Sequence, residues 1–395
     1  MVFAASVPLE GVGRLGPLGS AARVAGIAAA LVGIVALCTD LPARRADVRL
    51  FWFGAFVAWV VASYYWSEDP VQTIARSTTF VQLLILAWLL WQEARSTRAC
   101  AALMKAFVAG TALACVDALV TRRPAHAGVP RFSIGDPNDF GVVVVIGMVM
   151  AYHLVLTSSS RWTRLACIAF MPLATVAVFL TASRTAAIAL LLAGIVAAWD
   201  RRNLQPRRLV MIAVLVAVMT VSVLTLVSAA QLARIGSVKS EAASGTLDQR
   251  TSQWELSFQT FSRHPVTGVG ADAFRDVSQR ATGQSSPSHN SFLGVATELG
   301  VPGLALFVIV FGSLAGPMAR RGRRLRRTWL TIALIWLVGA STLSWEHRKI
   351  TWFLVFLLVA QSDAARRPVE HALRARSAAR KVRRPAPAPR VRTRV

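Results

Sequence analysis

Apolar runs long enough to cross a bilayer recur along almost the whole chain, and only short segments separate them. A helix needs about 20 apolar residues to span the hydrocarbon core. Only a closed hydrogen-bonded element can do so, because lipid satisfies no backbone N–H or C=O. Eleven such runs are read at 22–38, 50–66, 74–91, 99–120, 140–156, 162–181, 185–199, 209–228, 291–316, 328–344 and 350–361. The pattern predicts an all-α polytopic membrane protein with one large hydrophilic loop at 229–290. Segment 1–21 reads as a loop or a curtailed helix, and 362–395 as a basic, disordered cytoplasmic tail.

Composition enters through the charge. The chain carries a formal net charge of +25, yet only 16% of its 395 residues are charged. The basic residues cluster at Arg320–Arg327 and beyond position 366. Short cytoplasmic loops and anionic headgroups attract such clusters. The charge therefore implies membrane lipids as partners and needs no nucleic acid. The same rule sets orientation. Arg201, Arg202, Arg207 and Arg208 crowd one short loop, placing it inside, so the 229–290 loop is expected outside. Its six Lys/Arg are nearly balanced by five Asp/Glu.

Cys38, Cys100, Cys115 and Cys167 all fall inside predicted spans, which argues against a disulfide framework or a thiolate metal site. Within the long loop, Leu247, Trp254, Phe258 and Phe261 recur at helical spacing. They predict an amphipathic helix over 247–262, with Arg250 on its apolar face. The loop ends at Ser288-His289-Asn290, which starts a helix broken at Gly300-Val301-Pro302-Gly303. His289 at a helix start sits where the helix dipole disfavours protonation. It fits a proton acceptor, and it also fits an interfacial histidine bonded to a carbonyl. Of the other histidines, His126 and His264 fall in loops, His153 in a span, His347 in a short turn and His371 in the tail. Arg131 and Arg184 at span ends fit either headgroup anchors or parts of a site. Glu68, Asp69, Asp136 and Asp139 offer carboxylates for a hard cation, but on separate loops.

The order of several short motifs resembles the O-antigen ligase and polymerase family. They are Trp66-Ser67-Glu68-Asp69-Pro70, Arg131 through Asn138, Thr181-Ala182-Ser183-Arg184, Arg250 with Trp254, His264 through Gly270, Ser288 through Leu293, and Glu298-Leu299-Gly300. The resemblance implies an inverting glycosyltransferase of the bacterial inner membrane, without metal or cofactor and with its active site facing outward. It implies an undecaprenyl diphosphate-linked glycan as donor and a hydroxyl of a glycan, lipid or protein as acceptor. It implies that Arg184 and Arg250 hold the diphosphate with Arg131 nearby, that His289 is the general base, and that Asn138, Asn290 and Glu298 position substrate. Polymerases and protein O-oligosaccharyltransferases share these motifs. A transporter or flippase of lipid-linked sugars is the alternative of another class. It predicts internal repeats and helices broken near the midplane, and the sequence has no clear repeat. A noncatalytic subunit of an export complex is the third.

Overall fold

The computed structural model describes the backbone of residues 1–10, 24, 26–28, 31–33, 35, 46–121, 131–199, 206–236, 250–319 and 322–382. The predicted first span at 22–38 lies largely outside them, as do loop residues 237–249 and the last thirteen residues. The described residues are helical, with no strand among them.

In chain order the helices are α1 (Val2–Ser6), α2 (Val48–Ala62), α3 (Pro70–Glu93), α4 (Thr97–Thr121), α5 (Pro137–Thr157), α6 (Arg161–Leu180), α7 (Arg184–Trp199) and α8 (Pro206–Leu226). Then follow α9 (Ala229–Gly236), α10 (Arg250–Arg263), α11 (Phe274–Thr282), α12 (Ser291–Gly312), α13 (Ala315–Ala319), α14 (Arg323–Ala340) and α15 (Lys349–Val382). Six stretches are long and apolar enough to cross a membrane: Val48–Trp66, Pro70–Glu93, Thr97–Thr121, Pro137–Thr157, Arg161–Leu180 and Ser291–Ala319. The bent pair of α8 and α9 makes a seventh if it counts as one span. Helices occupy ten of the eleven predicted runs, but the count of eleven spans is not reached among the described residues. α7 is short, α14 opens with four arginines, and α15 carries charge at both ends of its apolar stretch.

α5 is the axis of the bundle. Every residue from Phe140 to Ala151 is buried, as expected for a helix that is apolar all round. α14 runs antiparallel to it. His153 Nδ1 meets Thr328 Oγ1 of α14 at 3.0 Å near one end, and Trp345 Nε1 donates to Asp139 Oδ1 at 2.8 Å near the other. α2 and α12 are likewise antiparallel: Arg49 donates to Ser313 O, and Trp59 to Leu299 O. An aromatic core ties α2, α12, α14 and α15 together, with Phe53 stacked on Trp352 at 3.6 Å and Phe311 on Trp336 at 4.3 Å. Such pairs add about 0.5–1.5 kcal/mol each beyond burial.

These contacts give the bundle two unlike ends. One carries Arg49, Arg95, Arg98, Arg161, Arg164 and the arginines opening α14. The other gathers the starts of α3, α5, α7, α12 and α15 with the whole of α9, α10 and α11. It is called the polar end below.

Four differences from the sequence reading have physical causes. Residues 2–9, within the segment read as a loop or a curtailed helix, form a short helix and a 3-10 turn packed against α4. The backbone is helical from 362 to Val382 where a disordered tail is expected. That segment is rich in Ala and Arg, strong helix formers. The amphipathic helix is present as α10, but its packed face is turned by one residue position from the expected one. Gln253, Ser257 and Thr260 are buried and Phe258 is 62% exposed. Short polar side chains let α10 close on α12, where Thr297 Oγ1 donates to Ser257 O at 3.1 Å. His347, read as a residue of a plain turn, is bonded to Glu346 at 2.8 Å with its side chain only 16% exposed.

Candidate active site

The α6–α7 junction builds the first half of the site. α6 ends at Leu180, and Ala182 takes a left-handed φ of 46°. The carbonyl of Leu180 accepts from Phe132 N at 3.0 Å, which draws the 131–136 segment across the helix end. Arg131, 6% exposed, then donates Nε to Thr181 O at 2.9 Å and an amino group to Asn138 Oδ1 at 2.8 Å. Ser183 Oγ donates to the same Asn138 oxygen at 2.9 Å. Asp136 caps α5 by accepting from Asn138 N and Asp139 N. A Cβ on Gly141 would meet Ala186 Cβ at 2.5 Å, so α5 approaches α7 this closely only with glycine there. One turn fixed in this way presents Arg131, Asn138, Ser183 and Arg184 together.

The second half is the start of α12. Asn290 caps it, its Oδ1 accepting from Phe292 N at 3.0 Å and Leu293 N at 3.1 Å. That oxygen is committed to the helix, which leaves the amide NH2 to offer a substrate. His289, just before the cap, has φ 51°, and its Nε2 lies 3.3 Å from Ser286 Oγ. Ser291 Oγ donates to Leu343 O and accepts from Trp345 N at 2.7 Å.

Two contacts join the halves. Thr185 Oγ1 lies 3.3 Å from Thr342 Oγ1, one residue from the Leu343 carbonyl that holds Ser291. Arg184 thus lies one residue, and His289 two residues, from a residue docked on the same 342–343 segment. α10 delivers the remaining arginine. It runs parallel to α12, since Ser257 meets Thr297 and Pro265 O accepts from Val301 N at 2.8 Å. Its first described residue, Arg250, therefore lies toward the end of α12 that carries His289.

Glu298 lies elsewhere. Nine residues after His289 it is about 13 Å along the helix axis, and its Oε2 accepts from Asp272 N at 2.8 Å. Asp272 is paired with Arg76 and Arg275. These residues lock the 264–275 segment onto α12, so the structure separates Glu298 from the Arg131–Arg184–His289 group. The lock surrounds the break in α12. Pro302 has no N–H, so Glu298 O would be left without a helical donor. Gly270 N takes it at 2.9 Å, Val269 N takes Thr297 O, and Trp59 Nε1 takes Leu299 O.

Sequence reasoning missed Arg76, Asp272, Trp345 and Arg348. Arg76 falls inside a predicted span, and a charge there is itself a signal. Arg348 and Trp345 both hold Asp139 beside a cavity of about 90 Å³ that Glu10 and Asp136 also line. Nothing in a five-residue turn marks such partners. The four carboxylates weighed as cation ligands are engaged otherwise: Asp69 and Asp136 cap helices, Glu68 pairs with Arg280, and Asp139 with Arg348. Among the described residues no three His, Cys, Asp or Glu side chains are grouped to hold a metal.

The fold defines a class: a helical protein with six helices long and apolar enough to cross a membrane among the described residues, with Arg131, Arg184, Arg250 and His289 at its polar end. A family model described as O-antigen ligase matches residues 168–308, and over that stretch the chain is similar to the O-antigen ligase family. The match runs from α6 past the break in α12. It takes in Arg184, Arg250, His289, Asn290 and Glu298, while Arg131 and Asn138 precede it. The match supports an enzyme of glycosyltransferase type, and the apolar helices support a multi-pass membrane protein. No curated protein matches the chain.

Proposed function

We propose that the protein transfers a glycan from an undecaprenyl diphosphate carrier to an acceptor hydroxyl at the outward face of the bacterial inner membrane. The supporting observation is the convergence of the α6–α7 turn and the α12 start on residues 342–343. It unites anion-binding side chains with a candidate base. In this reading the acceptor oxygen attacks the anomeric carbon, and the bond from that carbon to the diphosphate oxygen breaks. The carrier leaves with the electron pair, the acceptor proton passes to His289, and a single displacement inverts the anomeric centre. Arg184 and Arg250 stabilise the diphosphate as its charge grows, because the guanidinium fork binds phosphate oxygens two at a time and stays charged. Arg131, buried and bonded to Asn138, fixes the turn that presents Arg184. The residues themselves supply these roles, so transfer is expected to continue in the presence of EDTA.

The test is transfer from a lipid-linked glycan in reconstituted membranes. Arg184→Lys and Arg250→Lys keep the charge and lose the fork, and each is expected to cut transfer strongly at normal membrane levels. His289→Gln keeps a hydrogen-bonding side chain without a base and is expected to lose two to four orders of magnitude. Parental rates in all three variants would discard the reading.

A further inference from the structure

A short turn, 341–348, joins the end of α14 at Ala340 to the start of α15 at Lys349. Trp345 pins it. The residue is fully buried, and a Cβ on Gly339 would meet its ring at 3.3 Å and Val142 of α5 at 3.4 Å. The ring is thus wedged between α14 and α5. Each polar group of Trp345 serves a different element. Its backbone N–H goes to Ser291 Oγ in α12 at 2.7 Å, and its indole N–H to Asp139 Oδ1 in α5 at 2.8 Å. Its carbonyl accepts from Thr351 Oγ1 in α15 at 2.7 Å.

The other Asp139 oxygen takes the Arg348 guanidinium. One carboxylate therefore grips the turn at two positions, 345 and 348, and fastens it to the start of α5. The residue before it, Asn138, receives Arg131 and Ser183. Adjacent residues of α5 thus hold the turn that leads to Arg184 and the 341–348 turn.

A carboxylate in the first turn of α5 suits the helix dipole, and for that it needs no side-chain partner. Here both oxygens are committed to the turn. A buried ion pair adds little stability over an apolar contact of similar volume, so its effect falls on geometry. The path onward is short. Ser291 accepts the Trp345 backbone N–H, and His289 lies two residues before Ser291. Thr342, on the same turn, meets Thr185 beside Arg184 at 3.3 Å.

We propose that Asp139 is a positioning residue of the site. Through Trp345 it sets the 342–345 segment against α5, and with it the placement of His289 relative to Arg184. The proposal rests on the function proposed above for the reaction that this placement serves. The coupling of Asp139 to His289 is independent of it.

The experiment uses the full-length protein in lipid nanodiscs, with Trp345→Phe, Asp139→Ala and the double variant. Trp345→Phe keeps an aromatic ring and the backbone N–H on Ser291 but removes the bond to Asp139. Asp139→Ala removes the Arg348 contact as well. The folded fraction is measured, then the nitrogen NMR signals of the His289 imidazole, assigned by their loss in His289→Gln. Transfer kinetics follow, with rates taken per folded molecule. Displaced His289 signals are expected, with kcat reduced roughly ten- to hundredfold, as for a misplacement of about 1 Å. Donor and acceptor KM should stay unchanged. Because Asp139 acts through the indole, the double variant should be no slower than Asp139→Ala. Parental kcat or unmoved His289 signals in folded Trp345→Phe overturn the proposal, as does a double variant slower than Asp139→Ala. A rate loss explained by the lost folded fraction also overturns it and leaves Asp139 a stability contact, as does failure of every variant to fold. Failure of the wild type to transfer any lipid-linked glycan, with the His289 signals still displaced by Trp345→Phe, discards the function and leaves the coupling standing.

Discussion

His289 is held in a backbone conformation that side chains other than glycine pay for. At φ 51° it occupies the left-handed region, where a non-glycine residue stores on the order of 1 kcal/mol. Surrounding bonds maintain that geometry: the Asn290 cap on one side and the Ser288 hydroxyl on Asn290 O at 3.0 Å on the other. If the strain serves to aim the imidazole, stability and activity separate at this position. His289→Gly is expected to melt at or above the temperature of His289→Ala, with both devoid of transfer. A glycine variant less stable than the alanine variant would show that no strain is stored. At this scale the sequence singled out candidates, since Arg184, Arg250 and His289 stand in ordered motifs. It was silent about their partners. Asn138 is joined to Ser183 across 45 positions, and no local pattern encodes that bond.

Among the elements, α12 decides the shape of the polar end. Gly300 has φ 66° and ψ −170° inside it, a region open essentially to glycine alone. A Cβ there would also lie 2.0 Å from Val266 O. Gly300→Ala is therefore expected to cost about 3 kcal/mol or more and to release the 264–270 segment. Gly54→Ala in α2 meets nothing within 4 Å, and it is expected to be neutral or to stabilise by up to about 1 kcal/mol. Thermal midpoints of the two variants in detergent check the contrast.

The turn between α14 and α15 makes a pH-dependent element. Burial, aided by the nearby charge of Arg76, lowers His347 to about pH 4, while the Glu346 carboxylate partly opposes this. The unfolded chain binds a proton at this residue near pH 6.5 and the folded chain does not, so stability falls as pH drops from about 6.5 toward 4. Thermal midpoints are expected to hold between pH 8 and 7 and then decline, with His347→Gln showing a shallower decline. Identical slopes in the two proteins would remove His347 from the account. The helical period located α10 correctly in the sequence, yet its apolar stripe pointed to the wrong packing face. A stripe of aromatics beside a bilayer has two apolar surroundings to choose from, and in α10 close approach to α12 went to the small polar side chains instead.

For the whole molecule, orientation is the decisive property. With arginines at one end and the candidate site residues at the other, the positive-inside rule leads to the prediction that the polar end faces away from the cytoplasm. A reporter fused after Gly283 is expected to read as extracytoplasmic and one after Arg367 as cytoplasmic. The reverse pattern would put the site on the wrong side for an outward-facing glycan.

The sequence by itself determined that the chain crosses a membrane repeatedly, because hydrocarbon imposes a length and a polarity on each crossing that no tertiary contact can alter. It also determined the order of the motifs, which is a property of the chain and not of its folding. Only the tertiary structure decided which helices are neighbours and hence which side chains meet. Helices such as α5 are apolar on every face, so their pattern names no partner. The joining contacts bridge 157 positions between Thr185 and Thr342 and 206 between Asp139 and Trp345. They exist because glycine-sized gaps, caps and aromatic stacks allow particular helices to approach, and that is settled in three dimensions by packing.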